Sequence, residues 1–230
     1  AGTISGGDAA GDTFSSIENL IGSAYADTLK GNSEVNAIYG GDGDDVIWGG
    51  PEADSLYGGA GADNFTGGTG DDTIEGGAGG DTIDGAGGTD TASYALSSSG
   101  VTVTLGGSAS GGDAAGDTLT TIENLIGSAY ADTLTGDGGA NVIDGGAGDD
   151  TIYFADGGGA DTIDGFVAGA ATDDVIDLSG ITNTSMDEYT EVYNAATDDG
   201  TDTTIDFGGG DILIITNVEV TDLDEDDFAF

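Results

Sequence analysis

The sequence predicts an all-β fold, a stack of very short strands joined by glycine-rich turns and closed at its C-terminal end by a β cap. Three observations predict it. A nine-residue unit repeats in register eight times from Gly22 to Ser93. The segment Ile17–Leu29 (IENLIGSAYADTL) recurs without change as Ile122–Leu134, 105 residues further on. After Gly165 the glycine pattern gives way to longer apolar runs.

The unit reads G-G-x-G-x-D-x-U-x, with U a large apolar residue, and its clearest copies begin at Gly40, Gly49, Gly58, Gly67, Gly76 and Gly85. Position six is Asp45, Asp54, Asp63, Asp72, Asp81 and Asp90, and position eight is Ile47, Leu56, Phe65, Ile74, Ile83 and Ala92. The register runs back through Gly31 (Asn36, Ile38) and Gly22 (Asp27, Leu29). Glycines at one, two and four permit positive φ and let backbone carbonyls converge in a tight turn. The carboxylate fixed in that turn is a hard anionic oxygen, and Ca2+ takes six to eight oxygens, carboxylate and carbonyl together. The x-U-x triplet makes a short strand whose middle side chain points inward. A strand of three residues cannot bury its face alone, so the units must stack. A disordered Gly/Asp-rich linker is the alternative for a chain with 47 glycines. Disorder, however, does not keep an apolar residue at every ninth position through eight units.

The duplication extends from Ser5–Ile47 against Ser110–Ile152, which makes the chain a tandem of two solenoid modules. Residues 1–105 form the first (nonamers 22–93) and 106–164 the second (nonamers 127–164). In the second, Asp132, Asn141 and Asp150 stand at position six, and Asp161 follows a two-residue insertion. Between the copies, Val101, Val103 and Leu105 alternate with threonines, the period of a half-buried strand, read as a roll continued with wider turns. Residues 165–230 form the cap, with strand-like runs at Asp174–Ser179 and Thr203–Ile214. The first residues, Ala1–Ser16, offer no cap. The N-terminal turn is therefore expected to be open and to self-associate head to tail with another chain.

These nonamers resemble the RTX (repeats-in-toxin) calcium-binding family. The resemblance implies a right-handed parallel β-roll in which two nonamers make one turn and calcium sits between loops two nonamers apart. Carried onto this chain, the metal ligands are Asp27, Asp45, Asp63, Asp72, Asp81, Asp90, Asp132, Asp150 and Asp161. They act with loop carbonyls around Gly41, Gly43, Gly59, Gly61, Gly68, Gly70, Gly77, Gly79, Gly146 and Gly148. Three positions depart from the pattern. Asn36 and Asn141 lack a charge, and the loop before Asp54 has Glu52 in place of a glycine. The series D-x-I-D-L-S … I-D-F-G-G-G-D … D-D-F-x-F resembles the C-terminal cap of RTX proteins, which implies export by a type I secretion apparatus to the extracellular space or cell surface.

Composition narrows the function. There are 45 acidic residues against one basic residue, Lys30, a formal charge of −44. Such a surface does not bind phosphate backbones or anionic lipid electrostatically, so no nucleic-acid partner and no membrane insertion are expected. No apolar run reaches transmembrane length, and no signal peptide is read at the N-terminus. Cysteine is absent, so no disulfide staples the fold. With no histidine there is neither a zinc-protease motif nor a Ser-His-Asp triad. The adjacent pairs Asp44/Asp45, Asp71/Asp72 and Asp149/Asp150 are read as ligand and neighbouring carboxylates rather than a glycosidase pair. Outward aromatics (Tyr39, Trp48, Tyr57) suggest a subunit or glycan contact or plain strand surface. The threonine ladders are too broken for an ice-binding face. The reading is a non-enzymatic, calcium-folded structural or adhesive protein that self-assembles as a layer or filament. The competing reading is the secretion and folding module of a larger exoenzyme.

Overall fold

The computed structural model describes residues 2–5, 13–14, 17–168, 174–182 and 189–230. Each nonamer contributes one strand, and successive strands alternate between two walls. Strand pairing between coils is parallel and in register at a spacing of 18 residues, with Ile38 over Leu56 on one wall and Ile47 over Phe65 on the other. The inward residues therefore form two facing columns, Leu20, Ile38, Leu56, Ile74 and Ala92 against Leu29, Ile47, Phe65 and Ile83. All are 5% exposed or less. This single-file core is all that such a thin solenoid has, and the architecture is that of a parallel β-roll.

One wall is continuous. Its eleven strands run from Asn19–Ile21 through Ala37–Asp42, Ser55–Ala60, Thr73–Ala78 and Thr91–Ser93. They continue through Asn124–Ile126, Val142–Asp144 and Ala160–Asp164, and end in the cap strands Asp211–Ile215, Thr203–Gly208 and Thr197–Asp198. The opposite wall is made of two sheets. The first copy supplies Thr28–Lys30, Val46–Pro51, Asn64–Thr69 and Thr82–Gly87, and Thr118–Thr120 ends it. The other sheet holds Thr102–Thr104, Thr133–Thr135, Thr151–Ala155, Val175–Gly180 and Phe228–Ala229, with Ala109–Ser110 antiparallel at its edge.

This split corrects the reading of Val101–Leu105 as a simple continuation of the first roll. Thr102–Thr104 pairs forward with Thr133–Thr135, while Thr82–Asp84 pairs with Thr118–Thr120. The stretch from Tyr94 to Asp117 is thus a loop-out carrying its own strand. Tyr94, 1% exposed, anchors it by donating its hydroxyl to Asp117 Oδ2 at 3.1 Å. Glu75 is buried beneath it, accepting Ser93 Oγ–H (2.7 Å) and Leu96 N–H (2.9 Å).

The ends also differ from expectation. Gly2–Ser5 lies antiparallel to Thr28–Lys30, with Thr13–Phe14 outside it, so the first coil is not bare on that wall. An antiparallel strand satisfies the open edge with no need of another chain. At the C-terminal end the hairpin Thr203–Gly208/Asp211–Ile215 closes the long wall. The helix Tyr189–Ala195, which no glycine or strand period announced, buries Val192 beside it. Tyr39 and Tyr57 stack at 4.7 Å between centroids and 4° between planes, so each ring gives a face to the other. Among the described residues, no helix is long and apolar enough to cross a membrane.

Stacking coils 18 residues apart leaves no room for side chains in the turns. A Cβ on Gly68, at φ +130°, would overlap the carbonyl of Gly50 in the coil beneath. Two non-glycine residues nevertheless hold left-handed geometry in these turns, Glu52 (φ 73°) and Ala86 (φ 72°). Left-handed non-glycine backbone costs on the order of 1 kcal/mol. Glu52→Gly and Ala86→Gly should therefore each raise stability in calcium by about 0.5–1 kcal/mol in urea denaturation. Gly68→Ala should lower it by more than that. The reverse order would show that the turns are not held as described.

Candidate metal centre

Position six is where the stack becomes a ladder. Asp45 Oδ1 accepts the backbone N–H of Asp27, 18 residues earlier, at 2.7 Å. The same bond runs from Asn36 N–H to Asp54, Asp45 to Asp63, Asp54 to Asp72, Asp63 to Asp81 and Asp72 to Asp90, at 2.7–2.9 Å. In the second copy it runs from Asp132 to Asp150 and from Asn141 to Asp161. One carboxylate oxygen of each of these residues thus ties two coils together.

The other oxygen is stranded. Oδ2 of Asp45, Asp54, Asp63, Asp72, Asp81, Asp90 and Asp150 is buried with no hydrogen-bond partner. It faces position one of its own turn. A Cβ on Gly49 would lie 2.5 Å from Asp54 Oδ2 and 2.6 Å from the Gly67 carbonyl oxygen of the next coil. At Gly67 the corresponding atoms are Asp72 Oδ2 and the Gly85 carbonyl, and at Gly58 they are Asp63 Oδ2 and the Gly76 carbonyl. Acceptors thus converge on a space from which every donor and every Cβ is missing. A buried, unpaired carboxylate oxygen costs several kcal/mol, so a cation belongs there. Among the described residues no three Asp or Glu side chains gather around one point. The remaining ligands would accordingly be backbone carbonyls, as the hard-oxygen preference of calcium permits.

The nonamers fall into two classes, and the residue at position two decides between them. Where it is Ser23, Asn32, Ser128 or Asp137, its N–H turns onto the sixth side chain. Ser23 N–H donates to Asp27 Oδ2 (2.6 Å), Asn32 to Asn36 Oδ1 (2.7 Å), Ser128 to Asp132 Oδ2 (2.5 Å) and Asp137 to Asn141 Oδ1 (2.8 Å). The serine hydroxyls bond the same carboxylates. The Asn36 and Asn141 amides donate onward to the Glu18 and Glu123 carbonyls. Where position two has positive φ (Gly41, Gly50, Gly59, Gly68, Gly77, Ala86, Gly146), that N–H is lost to the carboxylate and Oδ2 is stranded.

The sequence-derived ligands therefore separate. Asp45, Asp63, Asp72, Asp81, Asp90 and Asp150 have a free inward oxygen, and Asp54 joins them despite Glu52 in its loop. Asp27 and Asp132 are saturated by serine, and Asn36 and Asn141 by amides. Asp161 takes part in the ladder through Oδ1. Of the loop glycines, Gly59, Gly77 and Gly68 sit directly over the carbonyls of Gly41, Gly59 and Gly50, and Gly61 and Gly79 over those of Gly43 and Gly61. Gly70 sits over the Glu52 carbonyl, Gly146 over Ser128 and Gly148 over Tyr130.

Three ladder members escaped the sequence reading. Asp117 accepts Asp81 N–H, Glu123 Oε2 accepts Asp90 N–H, and Asp174 accepts Asp150 N–H. Each precedes an x-U pair (Thr118-Leu119, Asn124-Leu125, Val175-Ile176), so the D-x-U triplet without its glycines was the available signal.

The sequence matches the RTX calcium-binding nonapeptide repeat, in its four-copy form, over residues 13–42, 21–56, 57–92, 112–152 and 126–163, more than half of the chain. The chain belongs to the RTX calcium-binding nonapeptide repeat family. Calcium is accordingly its cofactor, at multiple sites, and the matched repeat is a calcium-binding rather than a catalytic unit. No curated protein matches the chain in sequence. Among solved structures, the chain is similar to the crystal structure of extracellular lipase LipA from Serratia marcescens. Identity is 16% and the TM-score 0.36, over 97% of this chain and 41% of that one. The RTX chain thus spans about two fifths of that lipase's length, an overlap too loose to bear on activity.

Burial in the metal-free stack pushes the carboxyls of Asp54, Asp63, Asp72 and Asp90 up to about 6 and those of Asp81 and Asp150 up to about 7. The ladder hydrogen bond opposes the shift, and neighbouring carboxylates add to it. An unfolded Asp titrates near about 3.9. The protonated form is thus favoured by folding, so this contribution is full below about pH 4 and is lost as pH rises through 6 to 7. In chelator, β-structure followed by circular dichroism should therefore strengthen on acidification from pH 7.5 to about 4.5. Weakening over that range would contradict the stranded-oxygen geometry.

Asparagine offers a second check, because the chain already uses it at Asn36 and Asn141. Asp63→Asn keeps an acceptor for Asp45 N–H and points an amide donor toward the Gly76 carbonyl. Calorimetric titration should count one calcium fewer, while melting in chelator should shift upward. Asp27→Asn should leave the calcium count unchanged.

Proposed function

We propose that the chain is a secreted structural module that is expanded where calcium is scarce and folds on reaching extracellular calcium. The ions would be held along the glycine edges by Asp45, Asp54, Asp63, Asp72, Asp81, Asp90 and Asp150 with carbonyls of adjacent coils. The observation that supports this most directly is the set of seven buried carboxylate oxygens without a donor, in a chain of charge −44. Metal-free, the stack must hold these charges together in a dry edge, and self-repulsion opposes it. Each calcium would cancel two charges and fill one acceptor cluster, so binding energy becomes folding energy.

Export fits the same physics. A chain unfolded at cytosolic calcium is threadable, and affinities of ~10⁻⁴–10⁻³ M, as in extracellular modules, would hold folding back until the outside is reached. We assign recognition by a type I secretion apparatus to residues 165–230, on the resemblance of that segment to RTX caps. A non-catalytic role agrees with the absence of His and Cys. A glycan platform at Tyr39 and Tyr57 is disfavoured, because those rings are stacked on each other. A head-to-tail filament or layer is disfavoured as well, because the C-terminal hairpin closes the long wall.

Circular dichroism in chelator and in millimolar calcium tests the reading. A disordered spectrum should convert cooperatively to a β-rich one with a midpoint of ~0.1–1 mM calcium. A β-rich spectrum indifferent to chelator would refute it.

A further inference from the structure

The second copy shows what the first copy's leading edge is built to hold. Ile17–Leu29 and Ile122–Leu134 are the same residues in the same order. In the second copy this segment receives a preceding coil. Asn124–Ile126 lies parallel to Thr91–Ser93, with Leu125 opposite Ala92 and Ile126 opposite Ser93. Glu123 and Asn124 N–H donate to the Asp90 carbonyl at 3.0 and 2.9 Å. Glu123 Oε2 accepts Asp90 N–H at 2.8 Å, and the Ile126 carbonyl accepts Tyr94 N–H at 2.8 Å. Under that cover Ile122 is 4% exposed and Ile126 half-buried.

The same groups in the first copy are left over. Asn19–Ile21 pairs with Ala37–Tyr39 and, among the described residues, with no strand on its other side. Ile17 is 43% and Ile21 74% exposed, and Glu18 and Asn19 face solvent. We propose that Glu18–Ile21 is a docking site for a nonapeptide coil of another polypeptide, entering parallel and ending in a sequence such as Asp-Thr-Ala-Ser-Tyr. The incoming Asp would present its N–H to Glu18 and its carbonyl to Glu18 and Asn19 N–H. Its small third residue would sit over Leu20, and its last N–H would reach the Ile21 carbonyl.

A second copy of this chain is not the occupant. Its own Asp90–Tyr94 coil end is consumed by Asn124–Ile126, and its C-terminal wall is closed by the antiparallel hairpin. The partner is therefore a separate calcium-binding repeat protein with a free coil end. An acidic partner at so acidic a chain is admissible only because calcium neutralises both, so the proposal rests on the calcium-folding reading above.

The probe is a synthetic peptide of residues 76–94, added at up to millimolar concentration to the full-length chain in calcium and followed by NMR amide shifts. A parallel version joins the same peptide to the N-terminus by a flexible linker, which supplies a millimolar effective concentration. Saturable shifts confined to Glu18–Tyr25, or exchange protection of those amides in the tethered form, are expected. Ile21→Asp should weaken the response at least tenfold, whereas Val142→Asp, on the same wall, should leave it unchanged. A peptide carrying Lys for Ala92 should not bind. Absence of both responses in a chain that circular dichroism shows to be folded overturns the docking site and leaves the calcium reading intact. A doubled mass of the chain alone by light scattering, abolished by Ile21→Asp, overturns it in favour of self-association. Failure to fold in calcium removes both.

Discussion

Everything in this molecule follows from the close approach of one turn to the turn 18 residues away. The glycine columns leave so little space that a Cβ on Gly68 or Gly79 would penetrate the carbonyl beneath it. At that separation the only side chain that reaches between coils is the sixth, and it spends one oxygen on the backbone N–H of its neighbour. The close packing that makes the ladder also buries the second oxygen and removes its donors. A neutral side chain would relieve the conflict without metal, as Asn36 and Asn141 show. That most positions retain Asp means that stability in the absence of calcium has been given up for dependence on it.

The position-two amide gives this dependence an order along the chain. The nonamers at Gly22 and Gly31 close their sixth side chains internally, and so do those at Gly127 and Gly136. Each copy therefore begins with one full coil that needs no ion, followed by coils that do. In a quasi-one-dimensional stack, stability is a sum of unit terms and neighbour terms, and a self-satisfied coil is the natural place for growth to start. Its ladder N–H groups at Asp27 and Asp132 then offer the first donor to Asp45 and Asp150, the first metal-dependent carboxylates above them.

Much of this was legible because the nonamer states turn, ligand and core residue in a single phrase. The inward columns, the strand triplets and the position-six ladder all appear where the repeat puts them. What was not legible has physical reasons. The distinction between saturated and stranded carboxylates lies in one backbone amide, and a Ser-for-Gly change at position two looks like sequence drift until its N–H is seen to turn. Asp117, Glu123 and Asp174 join the ladder from outside the glycine pattern, because the ladder needs only a carboxylate before a strand. Strand pairing across the loop-out at 94–117 is non-local. The alternation of Val101, Val103 and Leu105 gives a strand and its inward face but not which neighbour it joins. The helix Tyr189–Ala195 lies in the cap, where no repeat constrains the reading.

The loop-out explains how a duplicated module was joined without breaking the roll. A direct junction would place Ser99 and Ser108 at the ladder positions above Asp81 and Asp90, and neither supplies a carboxylate. Instead Asp117 and Glu123 reach those two N–H groups from 36 and 33 residues away, so both edges of the first stack end on an acceptor. Asp132, in turn, reaches back to Val101 N–H and starts the ladder of the second sheet. The long wall never notices the insertion, because Thr91–Ser93 and Asn124–Ile126 pair as any two coils would. Continuity is thus kept where the core column requires it, from Ala92 to Leu125. The discontinuity is confined to the opposite wall, where the buried Tyr94 holds Asp117 in place of the missing residue.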